Sequence, residues 1–127
     1  MVTSQEQKIP SDWPGTEGEY IAFTALLRAG KQSGRDFSYR PSTQGGRMES
    51  DIEINFKFHN PSDLALQVQE PFYAHHSGIE SKGRDIMAKA QLMGSGINLI
   101  FLEYDKLSQD PDWIISEALQ YRDHSWG

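Results

Sequence analysis

The chain contains no cysteine among its 127 residues. This absence excludes thiolate catalysis, cysteine-ligated zinc and any disulfide framework. No apolar run approaches the roughly 20 residues that are needed to cross a bilayer. Residues 1–13 are polar and lack the apolar centre of a signal peptide. We therefore expect a soluble protein with no membrane partner that is not secreted through a signal peptide.

Positive charge is also in short supply, with 12 Lys and Arg against 18 Asp and Glu and a net charge of −6. This balance argues against a chain that coats nucleic acid through bulk positive charge. The charges are unevenly distributed, however. Five basic residues opposed only by Asp36 occur in one stretch: Arg28, Lys31, Arg35, Arg40 and Arg47. Such asymmetry permits one basic face on an acidic protein, and a solvated charged loop is the alternative interpretation.

The length predicts one domain. Residues 1–15 are predicted to form an extended N-terminal arm, because Pro10 and Pro14 interrupt regular helix. Residues 16–127 are predicted to form a single domain. Its predicted elements are a helix from near Glu17 to Ala29, strands at Asp36–Arg40, Ile52–Phe58 and Leu64–Gln69, a helix at about Glu80–Met93, a strand at Ile97–Leu102 and a helix from Asp110.

This order predicts an α/β fold, αβββαβα, with a mixed sheet of about four strands flanked by helices. A helix between the Leu64 and Ile97 strands predicts that these two strands are parallel. The continuous apolar run Ile97–Leu102 is typical of a central strand that is covered on both sides.

A polar surface is predicted on the two strands of the central hairpin. Strand periodicity places Asp51, Glu53 and Asn55 on one face of the first strand. The same periodicity places Gln67 and Gln69 on one face of the second strand. Polar side chains on two adjacent strands are the clearest candidate site in the sequence.

Several segments together resemble the PD-(D/E)XK, or restriction-endonuclease-like, superfamily. They are residues 15–20 (GTEGEY), 52–56 (IEINF), 66–75 (LQVQEPFYAH), 83–94 and 96–100 (GINLI). The similarity spans roughly Gly15–Leu107 and is greatest to the very-short-patch-repair-type endonucleases and related small phage proteins. The resemblance implies a restriction-endonuclease-like core, DNA as the partner, and a location in the host cytoplasm or in a virion.

The resemblance also implies a catalytic site that binds Mg²⁺ through acidic side chains on neighbouring strands. Here Asn55 stands where the family has its principal aspartate, and Gln67 and Gln69 stand where acidic or basic catalytic residues are expected. The site is therefore depleted of carboxylates. The candidate catalytic residues are Glu19, Glu53, Asn55, Gln69, His75 and Asp85.

Two interpretations of this site remain open. In the first, the metal site has migrated, so that Glu19, Glu53 and Glu70 bind Mg²⁺ and His75 acts as general acid or base. In the second, the site is vestigial and the fold serves binding or assembly. Loss of the central aspartate favours the second interpretation, because magnesium prefers carboxylate oxygens.

The basic stretch supplies the candidate nucleic-acid-binding residues Arg35, Arg40 and Arg47, which we expect to contact phosphates. Phe37 and Tyr39 are expected to be able to stack on exposed bases. The leading hypothesis is a phage-type nuclease-like protein that interacts with DNA, in which Mg²⁺-dependent phosphodiester hydrolysis stays open. The alternative is a non-catalytic structural or assembly protein of a virion, with a homo-oligomer or other phage structural proteins as partners.

Overall fold

A computed structural model describes residues 9–41, 54–69, 87 and 89–124. The described elements, in chain order, are α1 (Glu17–Arg28), β1 (Phe37–Tyr39), β2 (Phe56–Phe58), β3 (Leu64–Gln69), α2 (helical at residues 87 and 89–94), β4 (Asn98–Glu103), α3 (Tyr104–Gln109) and α4 (Pro111–Leu119). The predicted α/β class is confirmed. The short helix α3 is an element that the sequence interpretation missed.

The strands form one four-stranded mixed sheet in the order β1-β2-β3-β4. β1 pairs antiparallel with β2, and β2 pairs antiparallel with β3. β3 and β4 are parallel from Leu64 beside Asn98 to Gln69 beside Glu103, which confirms the predicted crossover. The prediction of a central position for β4 was wrong. β4 is the last strand of the described sheet, and its apolar run reflects burial of both faces rather than pairing on both edges.

The C-terminal segment covers part of the outer edge of β4. Oδ2 of Asp123 accepts hydrogen bonds from the backbone N of Phe101 at 2.9 Å and from Nζ of Lys89 at 2.8 Å. Pairing an edge amide with a side chain reduces the tendency of that edge to recruit another strand. Oη of Tyr121 donates to Oδ1 of Asp63 at 2.5 Å, so the same segment is also attached to the β2–β3 turn.

The two faces of the sheet pack against different helices. The larger cluster contains Phe37, Phe56, Phe58, Leu64, Leu66, Val68, Ile100 and Leu102 together with residues of α1, α3 and α4. A smaller cluster on the other face contains Ala65, Leu99 and Phe101, with Leu92 of α2 packed against it. None of the described helices has the length and apolar character needed to cross a membrane.

The helix ends follow local signals in the sequence. Thr16 caps the start of α1, and the backbone after α1 turns at Gly30 with φ +90°, a conformation that glycine adopts without strain. Asp110 caps α4, whose first residue is Pro111. These predicted boundaries are confirmed because each depends on residues within about one helical turn.

The strand predicted at Ile52–Phe58 is described from Ile54 onward, and only Phe56–Phe58 pair as strand. The described β2–β3 ladder stops at Phe56 beside Leu66, whereas β3 continues to Gln69. Asn55 lies in a bend, and the preceding Ile54 packs against the smaller cluster rather than with Phe56. The predicted alternation therefore fails at Asn55. The backbone N of this residue still donates to the O of Leu66 at 3.0 Å, and β2 and β3 separate beyond this contact.

A buried aspartate organises the turn between α1 and β1. Oδ2 of Asp36 accepts hydrogen bonds from the backbone N of Gln32 at 2.8 Å and from Arg35 at 3.1 Å. Its backbone O accepts from the N of His59 at 2.8 Å. The backbone hydrogen bond from Gln32 and the hydrogen bond from Arg35 lower the pKa of Asp36 below its usual value of 3.8.

The lowered pKa predicts an acid-sensitive contribution of Asp36 to folding. Because the folded pKa lies below the unfolded one, this contribution is complete above the unfolded pKa and is lost as the pH falls through the folded pKa. We expect Asp36→Asn to lose less stability than the native protein between about pH 5 and about pH 2, measured by urea unfolding. Asp12→Asn, at an exposed turn position, is the control and should keep the native pH dependence. Equal acid sensitivity of Asp36→Asn and the native protein would contradict this account.

Candidate functional site

Four polar side chains are buried close to the point where β2 and β3 separate, and we call them the buried polar cluster. Their exposed fractions are 1% for Glu19, 0% for Asn55, 1% for Gln67 and 5% for Gln69. Burial of a polar group is unfavourable unless the group is hydrogen bonded. The contacts of these side chains therefore decide what the cluster can do.

Glu19 has a structural role at the start of α1. The Thr16 hydroxyl accepts a hydrogen bond from the N of Glu19 at 3.2 Å, and Oε1 of Glu19 accepts from the N of Thr16 at 3.3 Å. This reciprocal pair is a capping box, which satisfies two backbone donors that the helix leaves open. Oε1 also accepts a hydrogen bond from Oη of Tyr39 at 2.6 Å. The carboxylate thus connects the helix start to β1.

Asn55 uses both ends of its amide within the protein. Nδ2 donates to Oε2 of Glu19 at 3.3 Å and to the backbone O of Arg40 at 3.0 Å. Oδ1 accepts a hydrogen bond from the backbone N of Val68 at 2.8 Å. The side chain therefore joins α1, the end of β1 and β3. It supplies a partner for an amide of β3 beyond the end of the described β2–β3 ladder.

Gln67 and Gln69 lie on β3 at positions that alternate with Leu66 and Val68 of the larger core cluster. Nε2 of Gln69 donates to Oε1 of Gln67 at 3.1 Å. The two residues flank Val68, whose amide is bonded to Asn55, so the backbone of β3 links both halves of the cluster. The predicted polar surface is wrong for these two residues, because both side chains are buried on the face of β3 that carries Ala65 of the smaller cluster.

An aromatic residue from the N-terminal segment covers Tyr39. The Trp13 ring stacks on the Tyr39 ring with centroids 4.9 Å apart and an interplanar angle of 15°. Nε1 of Trp13 donates to the O of Thr16 at 3.0 Å. Gly15 lies so close that an added Cβ would overlap both Oη of Tyr39 and Oε1 of Glu19. Only glycine, which has no side chain, fits between Trp13 and the hydrogen bond from Tyr39 to Glu19.

The structure brings together two of the predicted catalytic residues that it describes. Glu19 and Asn55 are in direct contact, and Gln69 lies on the adjoining strand. Five predicted catalytic, metal-binding or DNA-binding residues lie outside the described residues; they are Glu53, Glu70, His75, Asp85 and Arg47.

Arg35 and Arg40 are both exposed and lie on either side of β1. The expectation that Phe37 and Tyr39 stack on bases was wrong. Phe37 is fully buried, and the Tyr39 ring is stacked against Trp13. Both rings pack on the face of the sheet that carries α1, where Tyr39 is partly buried.

The described residues do not fit a magnesium ion. Magnesium prefers oxygen ligands, usually one or two carboxylates and waters. Glu19 is the sole carboxylate of the buried polar cluster, and its oxygens accept hydrogen bonds from Thr16, Tyr39 and Asn55. Within the described part of the chain, no three His, Asp or Glu side chains are grouped so that they could hold a metal.

Sequence reasoning did not predict that Trp13, Gly15 and Tyr39 contribute to this site. One available signal was the Thr16-x-x-Glu19 pattern, since this spacing is the sequence signature of a capping box. This pattern predicts that Glu19 bonds to the backbone of Thr16, a structural role that involves no metal. No local pattern predicted the Trp13–Tyr39 stack, because these residues are brought together only by the fold.

The chain matches no family model, no curated protein and no solved structure. Function is therefore inferred from the geometry of the buried polar cluster and from the resemblance of the sequence.

Proposed function

We propose that the chain is a DNA-interacting domain on a restriction-endonuclease-like scaffold, and that it does not hydrolyse DNA. The observation that carries the proposal is the hydrogen bonding of Asn55. This residue stands where the resembled nucleases have their principal aspartate. Its amide donates to Glu19 and to Arg40, and it accepts from Val68.

The scaffold part of the proposal is supported by the order of elements. A helix, three antiparallel strands, a further helix and a parallel fourth strand follow one another. This is the αβββαβ order that the resemblance implies. The residues that match the family's motifs, Glu19, Asn55 and Gln69, come from α1, the start of β2 and the end of β3.

The absence of hydrolysis is supported by the chemistry of the Asn55 and Glu19 side chains. A divalent cation at Oδ1 of Asn55 would compete with the N–H of Val68, which already uses this oxygen. A cation at Glu19 would compete with the hydroxyl of Tyr39 and the amide of Asn55. Displacing them would leave buried donors without partners, which costs about 1–3 kcal/mol for each group.

A cleavage assay tests the catalytic part of the proposal. We expect the native protein to leave single-stranded, duplex and branched DNA intact in millimolar Mg²⁺ or Mn²⁺. Glu53→Ala serves as the matched control for contaminating nucleases. Cleavage by the native protein that disappears in Glu53→Ala would overturn the proposal and establish a metal site with a displaced carboxylate.

A DNA-binding assay tests the proposed interaction with DNA. We expect the native protein to bind DNA with an affinity that falls as the salt concentration rises, because phosphate contacts release counterions. If no DNA binds even at low salt, the DNA role is wrong.

One observation favours the assembly role as a second candidate function. Arg28 at the end of α1 bonds to Asp112 at the start of α4, with Nε 2.9 Å from Oδ1. Their chain neighbours Leu27 and Trp113 are 45% and 48% exposed. Large apolar side chains exposed at the same end of two packed helices suit a protein contact. A chain that binds no DNA but sediments as a stable oligomer would support this role instead.

A further inference from the structure

The cations of the described chain fall into two groups according to their partners. Three cations on the helices and in the C-terminal segment form salt bridges with carboxylates: Arg28 with Asp112, Lys89 with Asp123, and Arg122 with Glu117. The fourth, Lys106 of α3, donates to the backbone O of His124. Around β1 and β2, the described residues form one salt bridge, from Arg35 to Asp36. Even there, 66% of the Arg35 side chain is exposed. Within the described part of the chain, positive charge without a carboxylate partner is therefore concentrated around β1 and β2.

β1 and β2 form a two-stranded ribbon whose faces differ. Phe37 and Phe58 are paired and fully buried on the face that packs in the larger core cluster. Ser38 and Lys57 are the next pair, and they lie on the opposite face because successive side chains alternate. Arg40 follows β1 with the same alternation as Ser38, and both are exposed.

Local hydrogen bonds fix the positions of several polar groups on this outer face. Nζ of Lys57 donates to the O of Phe58 at 2.8 Å and to the O of Ser62 at 2.9 Å. Oγ of Ser38 lies 2.6 Å from Nε2 of His59. We call Ser38, Arg40, Lys57 and His59, together with Arg35 in the turn before β1, the ribbon face.

The neighbourhood of Asp36 supports a positive potential here. The charges of Arg35 and Lys31 help to lower the pKa of the Asp36 carboxyl, in addition to its hydrogen bonds from Gln32 and Arg35. Lys31 therefore adds a further positive charge beside the ribbon face. Asp36 itself is 4% exposed, so its carboxyl is largely withdrawn from the solvent-facing surface of this region.

We infer that the ribbon face binds the phosphodiester backbone of duplex DNA without reading the bases. The inference rests on the proposed function, and it adds the surface and the type of contact. Cations and hydroxyl groups on exposed side chains are suitable phosphate partners. Proteins that prefer single strands use aromatic rings as stacking platforms, and both aromatic residues of β1 are turned into the protein interior.

The salt dependence of duplex binding tests this inference. Each phosphate contact changes the slope of log K against log salt by about 0.9. We expect Arg40→Ala to reduce the slope by about one and to weaken binding roughly five- to tenfold near 0.1 M salt. Arg40→Lys should keep the native slope because it keeps the charge. Arg28→Ala is the matched control and should also keep the slope, since Arg28 is paired with Asp112 of α4.

The outcomes separate the inference from the proposed function. If native protein binds duplex DNA but Arg40→Ala and Arg28→Ala change the slope equally, the ribbon face is not the binding surface and the DNA role stands. Tighter binding of single-stranded than of duplex DNA would also overturn the inference. If native protein binds neither, the proposed function fails with it. Thermal unfolding of each variant checks that a lost affinity is not a lost fold.

Discussion

Gly15→Ala is expected to cause a large loss of stability. The new Cβ would overlap Oη of Tyr39 and Oε1 of Glu19. Overpacking of this kind typically costs about 1–3 kcal/mol. Separation of the Tyr39 hydroxyl from the buried carboxylate adds about 1–3 kcal/mol. We expect unfolding free energy to fall by about 3–4 kcal/mol, and Tm by roughly 10 °C.

Gly94→Ala is the matched control for this measurement. Gly94 lies in α2, and an added Cβ meets no heavy atom within 4 Å. Alanine is about 1 kcal/mol more favourable than glycine within a helix, so Tm should stay constant or rise slightly. Thermal unfolding followed by circular dichroism compares the two variants. A native Tm for Gly15→Ala would mean that Trp13, Gly15 and Tyr39 do not pack as described.

Asn55→Asp is expected to destabilise the protein at neutral pH even though it restores the residue type of the resembled nucleases. The substitution removes the donor to the O of Arg40 and places a second carboxylate at the 3.3 Å contact with Glu19. Like charges in a buried site raise the pKa of one carboxyl. We expect a loss of about 3 kcal/mol at pH 7, since one pKa unit corresponds to about 1.4 kcal/mol.

The pH dependence of this loss has a definite sign. A carboxyl whose folded pKa lies above its unfolded value of about 3.9 is destabilising once the pH exceeds the unfolded value. The deficit of Asn55→Asp should therefore shrink as the pH is lowered towards about 4. Asn60→Asp, at an exposed position, makes the same chemical change and should show little deficit at either pH.

The same stability measurement, repeated with divalent cations, tests whether this place can bind a metal. If millimolar Mg²⁺ raises the Tm of Asn55→Asp but not that of the native protein, two carboxylates at this place can share a metal and the scaffold is nuclease-like. If Asn55→Asp is as stable as the native protein at pH 7, the hydrogen-bonding role assigned to Asn55 is wrong.

The position of the candidate site was partly predictable. The alternation of β3 and the crossover to β4 were visible in the sequence, so Glu19, Asn55 and Gln69 could be assigned to elements that meet. Their chemical state could not be predicted. Periodicity assigns a residue to a face, but it does not say whether that face is covered, so Gln69 was expected on a surface and is 5% exposed.

The separation of β2 from β3 was also beyond the sequence pattern. Ile54 and Phe56 follow strand alternation, yet they pack in different clusters. The reason is the side chain of Asn55, which bonds to the amide of Val68, 13 residues away. A side chain that replaces backbone pairing leaves no periodic signal.

By itself the sequence determined the ends of α1, the start of α4, the order of the described elements other than α3, and the parallel pairing of β3 with β4. Each of these depends on residues within a few positions or on the short connection between two strands. Only the tertiary structure decided which polar groups are buried and which cations are neutralised. Arg28 and Arg40 belong to the same basic stretch of the sequence. Arg28 bonds to Asp112, 84 residues along the chain, whereas Arg40 is exposed on the ribbon face. Partners so distant are selected by the topology of the whole chain, because the energy of a charge or an amide depends on what the fold places beside it.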